Sequence, residues 1–387
     1  MVDKSKRRLL KGGIYGLSVY GTAALCPRVL SAAESADGSS GFPGELQAAD
    51  ANGVRLPKGF SSRIIARSGK TVADTGYTWH AAPDGGACFA NERGGWVYVC
   101  NSEMKQGGGV SAVAFDRNGD IIDAYSLLSN TRNNCAGGAT PWGSWLSCEE
   151  IDRGQVWECF PEGDKEAVLR TALGFFKHEA VAVDPARKHL YLTEDEKDGC
   201  LYRFTASRYP DISVGKLEVA VLDDAEDSTI DWKIIENPMA VKIPTRRQVA
   251  EALRFNGGEG IAYFEDKVYF TTKGDNRVWS LDTQTQVLRV LYDASDSLTP
   301  ILTGVDNITV AQNGDIYVAE DGGDLQVVII DRQGKLFPVV QLEGHIKSEI
   351  TGVAFSPDGK RLYFSSQRGE TNSSYDGITY EIQGFST

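Results

Sequence analysis

Thr351-Gly352-Val353-Ala354-Phe355-Ser356-Pro357-Asp358-Gly359, followed by Leu362-Tyr363-Phe364-Ser365-Ser366-Gln367-Arg368, reads as two short apolar strands joined by a Pro-Asp-Gly turn. The same template recurs along the chain: an acidic or small residue, an apolar strand, a turn, a second strand, then a polar or acidic cluster. It returns from Glu179 to Glu194-Asp195, from Glu259 to Lys273-Gly274-Asp275, from Asp306-Asn307 to Glu320-Asp321, and from Cys88 to Asn101-Ser102-Glu103. The sixth copy runs from Gly137 to Cys148-Glu149-Glu150. Further short strands lie between copies, such as Leu201-Tyr202-Arg203-Phe204 and Val327-Val328-Ile329-Ile330. Six units of four strands, about 50 residues apart, predict an all-β chain folded as a six-bladed β-propeller. Gln248 to Phe255 and part of 226–247 break the pattern and read as a helical or irregular insertion on one face.

In an antiparallel hairpin the start of the first strand and the end of the second lie at one end. In a propeller the first strand of each blade lines the central channel, so six such ends converge on one mouth. That convergence predicts a cluster of Glu103, Cys148, Glu149, Glu150, Glu179, Glu194, Glu259, Asp306, Glu320 and Glu349. Two like charges about 4 Å apart repel by roughly 4 kcal/mol at an effective dielectric near 20. Several such pairs would exceed the roughly 5–15 kcal/mol that holds a fold together. The carboxylates must therefore be protonated, spread apart or neutralised by cations. Hard oxygen donors favour calcium, and carboxylates with one thiolate favour iron or another transition metal. Only four His are present, which argues against a His-rich zinc or copper centre. Read alone, Cys148 is a buried core thiol or half of a disulfide; followed by two Glu at a strand end, it reads as a metal ligand. Lys177, Lys273 and Arg368 fall at the same mouth, where they bind an anionic substrate or balance carboxylates.

The chain has 387 residues and a formal charge of −13, which argues against nucleic acid as a partner. Gly makes up about 11% of it, against roughly 7% in ordinary proteins, as many tight turns require. Residues 1–33 read as a signal peptide. Ser5-Lys6-Arg7-Arg8-Leu9-Leu10-Lys11 follows the twin-arginine export pattern with Lys6 in place of its first Arg. The apolar run from Gly12 to Leu25 is too short for a stable membrane span, and Ser31-Ala32-Ala33 offers small residues for cleavage. Residues 34–52 read as a disordered leader and 53–387 as the propeller. Seven Cys occur without a Cys-x-x-Cys pair. Cys88 and Cys100 flank a hairpin turn and are candidates for a cross-strand bridge.

One run is specific. Asn134-Cys135-Ala136-Gly137-Gly138-Ala139-Thr140-Pro141-Trp142-Gly143-Ser144-Trp145-Leu146-Ser147-Cys148-Glu149-Glu150 closely resembles the signature of PhoX-type alkaline phosphatases and their shorter relatives. Phe176-Lys177-His178-Glu179-Ala180, Gly257-Gly258-Glu259-Gly260, Asp306-Asn307 and the stretch from Glu349 to Gly359 are similar to other parts of that family, so that the resemblance covers about residues 50–385. It implies an exported six-bladed propeller that hydrolyses phosphomonoesters at an iron and calcium cluster. By position it implies Cys148 as an iron ligand, Glu179 as a bridge between metals, and Glu103, Glu150, Glu259, Asp306 and Glu349 as further ligands. The chain departs from the longer members at Lys177-His178-Glu179, where they carry Arg-Pro-Glu, and at Asn101-Ser102-Glu103, where they carry Asn-His-Glu.

The sequence is thus expected to encode a periplasmic or secreted monomer. Its substrate would be a small phosphate ester and its export partner the twin-arginine machinery, with Lys177 and Arg368 as the catalytic cations. The alternatives are a calcium-dependent propeller lactonase or esterase, and a non-catalytic, metal-stabilised propeller.

Overall fold

A computed structural model describes residues 44–223, 228–345 and 347–385. The expected signal peptide, 1–33, lies outside the described residues. The described strands form six antiparallel sheets, four of four strands and two of five. Each sheet is one blade of a six-bladed propeller. The innermost strands, in chain order, are Pro83–Ala90, Asn134–Ala139, His178–Asp184, Gly258–Phe264, Val305–Val310 and Ile350–Phe355, which define blades 1 to 6. Apolar side chains of facing blades interdigitate. Leu146 and Val156 of blade 2, for instance, share a buried cluster with Val181, Leu192 and Tyr202 of blade 3.

The ring closes through the N-terminal part of the chain. Ser61–Arg67 is the outermost strand of blade 6, paired to Ile378–Gln383, and Val54–Arg55 adds a fifth strand to blade 5 against Gln341 and Leu342. The first strands of the domain thus complete the last two blades. Of the expected leader 34–52, residues 44–52 are tied to the domain. The Gln47 amide donates to the Leu56 carbonyl and the Asp50 amide to that of Val54. Among its described residues the insertion is mostly irregular, as one of the two expectations had it. Ile230–Ile234 forms a fifth strand on blade 3, and Thr245–Arg247 is one 3₁₀ turn. No described helix is long and apolar enough to cross a membrane.

Two local features of the innermost strands recur six times. Each strand shifts register against its neighbour within its first four residues, at His178/Val181, Gly258/Ile261, Val305/Ile308, Thr351/Ala354, Pro83/Gly86 and Asn134/Gly137. Such bulges re-aim a side chain and loosen the ladder next to it. The third residue is small in five blades: Gly85, Ala136, Ala180, Gly260 and Gly352. Strand starts crowd together around the axis, so a side chain there meets the next blade's backbone. A Cβ on Gly260 would lie 2.7 Å from the Ile308 nitrogen, and one on Gly85 would lie 2.5 Å from the Ala136 Cα.

Candidate metal and anion site

The bulge aims the second residue of every innermost strand at the channel mouth. Those residues are Asp84, Cys135, Glu179, Glu259, Asp306 and Thr351. Loops at strand ends add Glu103, Glu150 and Glu349, and a cavity of about 190 Å³ lies among these groups, lined also by Lys273 and Arg368. Beneath it the channel widens to about 340 Å³ and no charged side chain lines it; Ala87, Ala139, Val183, Ile261 and Phe355 are among its walls. Charge is therefore confined to one end of the axis.

Donor atoms lie within 4.8 Å of one another in four overlapping groups: Cys135/Glu150/Glu179, Asp84/Glu103/Glu349, Glu179/Glu259/Asp306 and Asp306/Asp321/Glu349. The Cys135 thiol donates to Glu179 Oε1 at 3.3 Å. Glu179 is fully buried, and its Oε2 is enclosed without a partner. Gln367 donates to Asp84 at 2.5 Å and to Glu103 at 2.8 Å. Three cations reach the ring. Lys177 pairs with Glu150 at 2.8 Å and Asp195 at 2.6 Å. Arg368 pairs with Glu349 at 2.6 Å and Asp321 at 3.6 Å. Lys273 reaches Glu259, Asp306 and Asp321.

Nine carboxylates thus face three cations, and burial makes the imbalance costly. Burial, then the nearby Asp195 and Glu103, pushes the Glu150 carboxyl up to about 8. Burial raises Asp306 to about 6 against the pull of Lys273. Glu179 is driven well above the carboxylate range, first by burial and then by Glu259, Glu150 and Asp306. The Cys135 thiol is raised by burial and by Asp84 and Glu179.

Six of the ten predicted ligands are brought together: Glu103, Glu150, Glu179, Glu259, Asp306 and Glu349. Lys177 and Arg368 stand beside them. Four are not brought in. Cys148 is buried in the apolar seam between blades 2 and 3, beside Leu146 and Val181. Its strand lies one strand-width further from the axis, so its thiol faces a neighbouring blade instead of the mouth. Glu149, Glu194 and Glu320 serve a different, repeated purpose. Each ends a second strand, and its Oε2 accepts the backbone amide six residues on, from Gln155, Cys200 and Gln326. The carboxylate replaces the ladder bond lost where the chain turns into the third strand. Glu194 also binds the Tyr202 hydroxyl and Arg246, and Glu320 the Thr303 amide.

We predict that Glu320→Ala lowers stability by about 2–3 kcal/mol, because it orphans the buried Gln326 amide and the part-buried Thr303 amide, and leaves bound metal unchanged. Urea unfolding with elemental analysis checks both; a loss of metal would return Glu320 to the ligand set.

Sequence reasoning missed Cys135, Asp84, Asp195 and Asp321 as members of the site. The usable signal was the repeat position: Cys135 holds the same place in blade 2 as Glu179 holds in blade 3. The Thr140–Ser144 turn lies at the opposite end of blade 2. There Trp142 donates to Glu158 at 2.7 Å, and Glu158 also accepts from Arg170 at 2.6 Å. That part of the run is a structural latch. No disulfide forms among the described residues: Cys88 faces Tyr98 and Cys100 faces Gly86, so the two thiols sit in different rows.

The family model for alkaline phosphatase PhoX matches residues 118–165 and 153–290. Pseudomonas fluorescens PhoX, solved with the transition-state analogue vanadate, superposes with a TM-score of 0.69 at 17% identity, covering 87% of this chain and 97% of that one. A Bacteroides thetaiotaomicron protein of unknown function superposes with a TM-score of 0.52 at 10% identity over 84% of this chain and 76% of that one. No curated protein matches. The family-model match upholds the PhoX-type resemblance, and the structural likeness upholds the propeller.

Proposed function

Starting from a chain that carries the PhoX-type family signature, we propose that it is a metal-dependent phosphomonoesterase, exported by the twin-arginine route to the periplasm or beyond. One observation carries the metal dependence: nine carboxylates and a thiol converge on one mouth with three cations, and Glu179 keeps a buried, unpartnered oxygen aimed into the cluster. The donor set fits calcium through its carboxylates and iron through Cys135 with Glu150 and Glu179. Bound there, the metals would neutralise a phosphate and activate an oxygen nucleophile.

The chain's own residues supply the rest. Arg368 is oriented before any substrate arrives: Nε donates to the Lys347 carbonyl at 3.0 Å, its amide donates to Ser348 Oγ at 2.9 Å, and Glu349 holds one terminal nitrogen. A guanidinium so fixed keeps Nη2, 3.6 Å from Asp321 Oδ1, as the donor nearest an incoming phosphate oxygen. Lys177 contributes a point charge on the opposite side of the mouth, its own proton held more tightly by Glu150 and Asp195 despite burial. The solved PhoX binds vanadate, which fits a phosphoryl-transfer site at this mouth. A thiol among the carboxylates does not suit the single-calcium lactonase alternative.

The test is hydrolysis of p-nitrophenyl phosphate by protein loaded with calcium and iron, with loss of activity on chelation. Metal-loaded, folded protein that leaves phosphomonoesters intact overturns the reading in favour of a non-catalytic propeller. Cell fractionation of the full chain tests export; retention in the cytoplasm would reject it.

The raised carboxyls also predict a pH dependence. A group whose folded pKa lies above its unfolded value binds its proton more tightly in the fold, so stability is lost as pH rises towards the folded value. Buried His80 and His178, both lowered to about 3, act the other way, but only below the ordinary His range. Between about pH 6.5 and 8.5 the carboxyls decide, Glu150 near 8 and Glu179, Glu259 and Glu349 well above the carboxylate range. Metal-free protein is therefore expected to melt at progressively lower temperature across that window, and calcium to reverse the trend. A melting temperature that climbs with pH in chelator would contradict it.

A further inference from the structure

The three cations do not share the ring evenly. Lys273 follows the second strand of blade 4, Lys267–Thr272. Its Nζ lies 3.1 Å from Glu259 Oε1, 3.2 Å from Asp321 Oδ2 and 3.6 Å from Asp306 Oδ2. Those carboxylates belong to two of the four donor groups, Glu179/Glu259/Asp306 and Asp306/Asp321/Glu349. One ammonium therefore stands where both groups would place a cation. Its backbone is clamped as well: the Lys273 amide donates to the Gly257 carbonyl, the Gly274 amide donates to the Asn256 carbonyl, and a Cβ on Gly274 would meet the Asn256 side chain at 2.4 Å.

On the blade 1–3 side Lys177 reaches Glu150 and Arg368 reaches Glu349, but among the described residues no cation pairs with Asp84, Glu103 or Glu179. Asp84 accepts from Gln367 and the Gly85 amide, and Glu103 from Gln367 and Asn133, all of them uncharged donors. Glu179 receives only the Cys135 thiol, and its second oxygen is buried without a partner.

We propose that Lys273 is a tethered cation standing in for one metal ion on the blade 4–5 side of the mouth. The chain then takes up one divalent ion fewer than its donor groups could hold. Its metals are confined to Cys135, Glu150 and Glu179 and to Asp84, Glu103 and Glu349. This inference rests on the metal-centre reading above and assigns its stoichiometry. The physical reason is concentration: an ammonium fixed to the fold needs no binding step from solution, and its charge lies within 3.6 Å of three carboxylates at once.

Calcium alone is the probe. Equilibrium dialysis of wild type, Lys273→Met and Lys273→Arg gives bound calcium per folded chain. Lys273→Met is expected to bind one more calcium than wild type, and Lys273→Arg the wild-type number. Equal numbers for wild type and a folded Lys273→Met overturn the proposal. Wild type that binds neither calcium nor iron overturns the metal-centre reading instead. If Lys273→Met does not fold, amine labelling of wild type read by mass spectrometry decides. Lys273 is expected to stay as protected in saturating calcium as without it; labelling that rises on calcium addition shows displacement and sinks the proposal.

Discussion

Cys135→Ala is expected to abolish iron binding and to lower phosphomonoesterase activity by on the order of 10²–10³-fold, as for removal of one principal charge-stabilising group. Cys148→Ala is expected to leave metal content and activity unchanged and to lower stability by only about 1–2 kcal/mol, the effect of trimming a buried small side chain. The contrast follows from position. Cys135 is the second residue of an innermost strand, in reach of Glu150 and Glu179. Cys148 is sealed among Leu146, Val181 and Tyr202. Elemental analysis of both variants beside p-nitrophenyl phosphate turnover separates them. Iron lost from Cys148→Ala and kept by Cys135→Ala would invert the assignment.

The second large effect concerns the fold that holds the ring. Gly352→Ala is expected to lower stability by about 3 kcal/mol or more, from roughly 1–2 kcal/mol for a left-handed backbone and a further 1–3 kcal/mol for overpacking. Gly352 has φ +67°, and a Cβ there would lie 2.4 Å from the Asp84 carbonyl oxygen. Its amide also donates to the Asn307 side chain, so it joins blades 5, 6 and 1 at the mouth. Displacing Asp84 should lower metal content too. Gly334 is the control: φ is +79° but the space around it is open, so Gly334→Ala should cost only about 1–2 kcal/mol. Urea unfolding compares the pair. Equal losses would mean that backbone conformation, not the crowded axis, sets the requirement for Gly352.

Much of the site was visible because a repeat fold turns sequence position into spatial position. Glu179, Glu259 and Asp306 begin equivalent strands, and all three reach the mouth. The same rule pointed to Cys135, but the conspicuous Cys148-Glu149-Glu150 run drew the assignment away from it. Glu149, Glu194 and Glu320 also repeat, yet they repeat because each satisfies an amide at the turn into the third strand of its blade. A recurring carboxylate marks a recurring need, and periodicity does not distinguish a ligand from a latch.

The sequence by itself determined the six hairpins, their turns and the excess of acid at their ends. Alternating apolar residues and Gly-, Asn- or Asp-containing turns are short-range signals, complete within a dozen residues. Tertiary structure decided which thiol and which carboxylates meet. That choice depends on a bulge that turns the second residue of each inner strand towards the axis, on small third residues that let six backbones approach, and on Ser61–Arg67 closing the ring from the far end of the chain. Each is a relation between blades, set by packing around the axis, and no single hairpin contains it.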